Sequence, residues 1–304
     1  MSRIIYLHYK SGSHPSLVYQ AEAMNARLVY YLDIPSTFKK YELVLSEGFR
    51  PLIKASFMRR VHLTRRHINI FLGDFIPSMT KGKKGYLKEF VDFLIQNGCD
   101  GLVAISTLAA DFFKKYFRSL PHSRIEICWP GLNTQFIRSR ELFELADIAG
   151  SMRICVFQDL SYLEGADRLL PIFCALQREF RNITMYVIGN GNLAEQLIQE
   201  SKKIHNFHVF IGYQPYGFIK GVMRRCRIFL FPARLSFFGL PVIEAMSMGL
   251  VPVVTEMTGC KDFVEKVDPA LVVPSSTRAL IRKMTELLSM SAEELNDFSV
   301  KAKE

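Results

Sequence analysis

Short runs of apolar residues, each the length of a strand, alternate along the chain with stretches whose apolar positions recur at helical spacing. That alternation is the βαβ rhythm of a parallel sheet covered by helices on both faces. In the second half it predicts strands over Arg153 to Phe157, Met185 to Ile188, His208 to Ile211, Ile228 to Phe231 and Val251 to Thr255. Helices are expected at 166–180, 192–203, 216–226 and 241–248, with another near Ala292 to Lys303. The first half predicts strands near Ile4 to His8, Arg27 to Tyr31, Leu43 to Ser46, Ile68 to Leu72 and Leu102 to Ile105, with helices over Ser16 to Asn25, Tyr86 to Asn97 and Leu108 to Phe117. Between Asn133 and Gly150 the pattern lapses into a mixed, charged stretch. The expected organisation is therefore an α/β chain of two doubly wound, Rossmann-like domains, 1–135 and 150–304, joined by a linker at 133–150. Ligands of such sheets sit beyond the carboxyl ends of the strands, so the loops there are where chemistry is expected.

Composition narrows the class. Hydrophobic residues make up 49% of the 304 and charged ones 22%, a globular balance that argues against long disorder. The formal charge of +10 favours anionic partners. Much of it lies in the first half, at Arg59-Arg60, Arg65-Arg66, Lys81 to Lys84 and Lys114-Lys115, interleaved with Phe, Met, Leu and Ile. Such a mixture suits either solvated helix faces or an anionic membrane surface. No nucleic-acid motif accompanies it, and none is expected as a partner. The six cysteines show neither CxxC pairs nor zinc spacing and read as buried thiols of a reducing compartment. Neither a signal-peptide pattern nor an uncharged run of about 18 residues is seen, so a cytoplasmic location is expected, with peripheral attachment to the inner membrane face.

Phe231 to Val254 is the most informative stretch. A buried strand ends at Phe231, a loop carries Gly239, and Pro241 opens a helix where its missing N–H is least costly. Gly249 stands where a left-handed helix stop is expected. The loop thus turns the amides of Gly239 and Leu240 toward the space before the helix, an anion site in the making. Glu244, placed on the first turn, could accept from a pair of hydroxyls such as those of a ribose.

This run resembles the signature of the large retaining GT-B family that includes glycogen and sucrose synthases (glycosyltransferase family four, "glycosyl transferases group 1"), which carries a Pro-Ser, a Glu two residues on, Gly-Phe-Gly-Leu-Pro and a second Glu before Ala-Met. Trp129-Pro-Gly-Leu-Asn133 looks like the family segment that opens the interdomain linker. Val187-Ile-Gly-Asn-Gly191 looks like its Gly-Asp-Gly turn, and Phe210-Ile-Gly-Tyr213 like the strand end lying against the nucleotide base. Thr258 to Val264 resembles its Gly-Gly-x-x-Glu segment. The resemblance implies a GT-B fold, two domains facing a cleft, and transfer of a sugar with retention from a nucleoside-diphosphate donor to a lipid-linked or glycan acceptor, with no obligatory metal. It places Gly189, Asn190, Gly191, Gly212, Tyr213, Arg234, Phe238, Gly239, Leu240 and Glu244 on the donor. In the first domain it brings Gly12 and His14 to the donor, and Asp74 to the place where the family carries an acceptor-side histidine.

Three positions depart from the pattern. Ser236 replaces the first Glu of the family pair, while Asp159 and Glu164 replace the Arg and Lys that neutralise the phosphates. Anions there should repel a diphosphate by on the order of a few kcal/mol. Arg168, Arg234 or a divalent metal bridging Asp159 or Glu164 to phosphate would compensate. A catalytically silent GT-B module that binds a glycan, a nucleotide sugar or a partner transferase therefore stays open beside the enzyme, as does a different enzyme on the same fold, such as an epimerase or phosphorylase. The chain ends soon after the helix near Ala292 to Lys303, leaving little for the helix that in relatives crosses back, so looser domain closure or a shortened form is expected.

Overall fold

The computed structural model describes residues 3–8, 21–33, 40–71, 85–117, 124–132 and 152–304. The chain divides into two units, Met1–Pro130 and Gly131–Glu304. The expected linker at 133–150 lies outside the described residues.

Among the described residues the first unit holds six parallel strands: β1 (Ile4–His8), β2 (Arg27–Tyr30), β3 (Tyr41–Glu47), β4 (Thr64–Phe71), β5 (Gly101–Ala104) and β6 (Ile125–Ile127), in the order β2-β1-β3-β4-β5-β6. Successive side chains of a strand point to opposite faces, and the central strand β1 is buried on both. Ile5 and Leu7 pack with Val44, Ala55 and Met58 on one side, whereas Tyr6 packs with Ala21 and Leu45 on the other. Helices among the described residues include α1 (Phe49–Arg60), α2 (Gly85–Gly98) and α3 (Thr107–Tyr116), the last capped by Ser106, whose Oγ accepts from the Ala109 amide at 3.0 Å. Helix α1 and strand β6 escape the sequence pattern. Helix α1 buries Pro51, Leu52, Ala55, Ser56 and Met58 but leaves Phe57 exposed, so its apolar residues do not mark a single face.

The second unit repeats the plan with β7 (Met152–Phe157), β8 (Ile183–Gly189), β9 (Phe207–Ile211), β10 (Ile228–Phe231), β11 (Val251–Thr255) and β12 (Val272–Val273). Its order, β12-β11-β10-β7-β8-β9, is that of a dinucleotide-binding sheet, and the topological switch falls between β7 and β10. Helices α4 (Ala166–Glu179), α5 (Ala194–Ser201), α6 (Tyr216–Met223), α7 (Leu240–Ser247), α8 (Lys261–Val267), α9 (Thr277–Leu288) and α10 (Ala292–Lys303) complete it. Strands β10 and β11 are buried along their whole length, which is why they read as uninterrupted apolar runs. Gly249 stops α7 with φ of +82°, the left-handed conformation expected of it.

Two expectations need correction. Glu244 is the fifth residue of α7 and lies on its second turn, because the helix begins at Leu240. Not all the cysteines are buried: Cys128 is exposed and Cys174 half-buried, although all six are free thiols. No helix among the described residues is long and apolar enough to cross a membrane.

Candidate active site at the switch of the second sheet

The loops leaving β7 and β10 meet at the switch point, and close backbone approach dictates their sequence. After β7 the chain runs from Gln158 to Gly165 before α4 begins. Gly165 has φ of +78°, and a side chain on it would collide with the Pro232 carbonyl at the end of β10. Only glycine fits both the dihedral and the space. The two loops are also hydrogen-bonded: the amides of Arg234 and Leu235 donate to the Leu163 carbonyl at 2.7 and 3.2 Å.

On the other side of β7 the turn Gly189-Asn190-Gly191 lies against the same loop. The Gln158 amide donates to the Ile188 carbonyl (3.1 Å) and the Leu160 amide to that of Asn190 (2.8 Å). A Cβ on Gly189 would fall on the Gln158 carbonyl, and one on Gly191 on the Asp159 carboxylate. Gly212, with φ of +83°, donates its amide to the Gly189 carbonyl at 3.2 Å and leaves Tyr213 83% exposed.

The loop 232–239 is pinned from beneath. Ser236 pairs with Thr258 in an isolated parallel bridge, Cys260 donates its amide to the Phe238 carbonyl (2.7 Å), and the Thr255 hydroxyl donates to the Ala233 carbonyl (2.6 Å). Gly239 takes φ of +88° before α7, hemmed in by Thr258, Cys260 and the Phe231 ring. Among the described residues the amides of Gly239 and Leu240 donate to no carbonyl. They are the free donors of a helix start. Glu244 follows Leu240 by four residues and so stands one turn behind it on the same face. It is 3% exposed, its carboxyl has no hydrogen-bond or ion-pair partner among the described residues, and burial pushes its pKa up to about 8. A buried carboxyl left unpartnered is costly in isolation, which makes it a marker of function.

The cations expected to compensate for Asp159 and Glu164 are both engaged. Arg168 is buried and clamps the scaffold: Nη1 donates to the Pro232 carbonyl (2.9 Å) and the Ser275 hydroxyl (3.3 Å), and Nη2 to the Ser275 carbonyl (3.0 Å). Arg234 pairs in a fork with Asp167 (2.6 and 2.7 Å), donates to the Tyr162 carbonyl and lies 3.8 Å above the Tyr162 ring. Asp159 is exposed on the loop, and the atoms around it desolvate its carboxyl and raise its pKa. No three His, Cys, Asp or Glu side chains gather to hold a metal among the described residues.

The structure therefore brings Asp159, Glu164, Gly189, Asn190, Gly191, Gly212, Tyr213, Arg234, Ser236, Phe238, Gly239, Leu240 and Glu244 to the carboxyl-end rim of one sheet. Gly12, His14 and Asp74 lie outside the described residues. Sequence reasoning missed Asp167 and Tyr162, whose roles appear only once the two loops are seen side by side. It also missed His8 and Glu47, buried at the ends of β1 and β3, the switch point of the first sheet, where the Tyr6 hydroxyl donates to the Glu47 carboxylate.

Two Rossmann-like α/β domains with parallel sheets, the second in dinucleotide-binding order with free backbone amides at its switch, define a GT-B protein. The family model "Glycosyl transferases group 1" matches residues 142–304, more than half of the chain, and the chain belongs to that family. Among curated relatives, the O-antigen biosynthesis glycosyltransferase WclY of Escherichia coli is 25% identical over 240 residues, covering 73% of this chain; the chain spans 63% of that relative's length. Among solved structures, Anabaena HepE in complex with UDP-glucose superposes with a TM-score of 0.78 over 99% of this chain and 93% of its own, at 13% identity. WaaG, a glycosyltransferase involved in lipopolysaccharide biosynthesis, does so with a TM-score of 0.69 over 99% and 94%, at 15% identity. At these identities the superpositions speak for fold alone.

Proposed function

We propose that this chain is a glycosyltransferase that moves a sugar from a nucleoside-diphosphate donor to a lipid-linked or glycan acceptor, with retention of anomeric configuration. The observation that carries the reading is the buried, unpartnered Glu244 one turn behind the free amides of Gly239 and Leu240. The amides and the start of α7 would hold the donor phosphates and take up charge as the leaving group departs. The Glu244 carboxylate would accept from the ribose hydroxyls. Tyr213, exposed beside Gly189, would lie against the base, and the Ser236 hydroxyl would donate to the donor sugar. Phe238 would shape the loop beside the donor, and the Gly189 to Gly191 turn, held close against Gln158, Asp159 and Leu160, would border it. Gly12 and His14 at the donor and Asp74 at the acceptor complete the reading from the resemblance, which also supports retention.

UDP-glucose in the HepE structure makes a uridine donor the first to test, and O-antigen biosynthesis in the name of WclY supports a glycan acceptor. The basic first domain supports work at an anionic membrane surface. A second reading, a silent module that binds the donor without turning it over, draws on Asp159 and Glu164 standing where cations belong while Arg168 and Arg234 are engaged elsewhere.

Thermal melting with UDP, GDP, ADP and their sugar conjugates separates these readings, since a ligand at about 100 times its Kd stabilises the fold by about 2.7 kcal/mol. Stabilisation by one sugar conjugate, lost in Glu244→Ala and accompanied by slow release of free nucleotide, supports the transferase. Stabilisation without release at any acceptor supports the silent module, and no stabilisation by any nucleotide overturns both.

A further inference from the structure

At the amino ends of the first sheet's strands, where β1, β3 and β4 begin, lies an open cavity of about 560 Å³. Its lining includes Arg3, Lys40, Arg59, His62 and Arg65, with Glu42 as the one acidic side chain. Arg59 is occupied, holding Asp100 through Nε (2.7 Å) and Nη2 (2.9 Å). Arg3, Lys40 and Arg65 have no ion-pair partner among the described residues. Three unpaired cations turned to one cavity repel one another, and that repulsion is relieved when an anion enters.

The neighbouring surface is apolar in a way that a soluble anion does not require. Phe57, Arg60 and Val61 fall at i, i+3 and i+4 at the end of α1, on one face, and Phe57 and Val61 are 62% and 44% exposed. Phe93 of α2, 46% exposed, extends the strip, with the Arg60 guanidinium 5.4 Å from its ring centroid. Exposed aromatics and aliphatics beside unpaired Lys and Arg match the boundary of an anionic bilayer, where phosphate and acyl chain meet.

We infer that this end of the sheet seats the head group of an anionic phospholipid, with Arg3, Lys40 and Arg65 on its phosphate and Phe57 and Val61 dipping into the acyl boundary. The inference deepens the membrane part of the proposed function, on which it rests, and is independent of the donor site.

The test is co-sedimentation of the full chain with vesicles of phosphatidylcholine alone or mixed with phosphatidylglycerol, at about 100 mM salt, where the screening length is about 10 Å. The wild type is expected to sediment with the phosphatidylglycerol vesicles only. Each neutralised cation should weaken partitioning about five-fold, so Lys40→Gln/Arg65→Gln should lose about 25-fold, and Phe57→Ser should also weaken it. All three side chains are exposed, and unchanged melting confirms folding. Wild type that ignores the anionic vesicles overturns both the membrane reading and the site. Vesicle binding unchanged in the double variant overturns the site alone, and equal binding to phosphatidylcholine overturns the role of charge. Displacement by millimolar glycerol phosphate with no effect of Phe57→Ser would make the ligand a soluble anion and overturn the lipid assignment.

Discussion

Arg234 and Asp167 are joined by two parallel hydrogen bonds of 2.6 and 2.7 Å, so the cation nearest in sequence to the free amides of Gly239 and Leu240 is already neutralised. The fork holds the loop after β10 against the first turn of α4, while Arg234 lies over the Tyr162 ring. Asp167 is thereby held below the usual carboxylate range by the hydrogen bond from Arg234. Because both side chains are partly exposed, the pair should contribute no more than about 1 kcal/mol to stability. Asp167→Asn should then lower the melting temperature only slightly and tighten donor binding several-fold, by releasing Arg234 toward phosphate. Calorimetric titration of the variant checks this, and weaker binding would assign the pair to positioning the loop.

Glu244 makes stability and donor binding respond oppositely to pH. Its folded pKa of about 8 lies above the ordinary 4.5, so the fold favours the protonated form. Its contribution to stability is fully present below about pH 4.5 and is lost progressively as the pH rises toward 8. Glu244→Gln should therefore be more stable than wild type at pH 8.5, on the order of 2 kcal/mol, with the difference shrinking toward pH 5. Urea unfolding at the two values measures it.

Donor affinity should rise over the same pH window, because the ribose hydroxyls need a carboxylate acceptor. Nucleotide-sugar binding near pH 7 should release a proton, seen as a buffer-dependent binding enthalpy that disappears in Glu244→Gln.

The close approach at Gly165 predicts a backbone defect distinct from any chemical one. Gly165→Ala introduces both a left-handed alanine and a collision with the Pro232 carbonyl, and should destabilise the fold by more than about 1 kcal/mol. The denaturant midpoint of the variant tests it; a midpoint equal to wild type would mean that the loop can move away from β10 without loss.

Charge reversal at Asp159 probes the departure from the family pattern. Asp159→Arg places a cation on the exposed loop and should tighten donor binding by about ten-fold, equivalent to about 1.4 kcal/mol. Unchanged affinity would separate this side chain from the phosphates.

The second domain is the more legible half because its central strands announce themselves. Strands β10 and β11 are buried from end to end, and the apolar runs mark their boundaries to the residue. Strand β12 has only two residues and β6 only three, too few for any pattern. Helix α1 hides because Pro51 sits within it and Phe57 faces outward. In the site, the glycines at 189, 191, 212 and 239 are legible because tight turns demand them. The fates of Arg168 and Arg234 are not, since a side chain's partner across two loops depends on how strands far apart in sequence are brought together.

The hydrogen-bonded rim joining the loops after β7 and β10 has a consequence for inheritance. Under the proposed function its donors toward phosphate are peptide groups, held by carbonyl contacts such as those of Leu163 and Phe238. Peptide groups do not titrate, and most substitutions leave them in place. On that reading a lineage can exchange charged side chains around such a seat, as the resemblance implies for Asp159 and Glu164, and still pass on an anion cradle for as long as it passes on the turns that shape it.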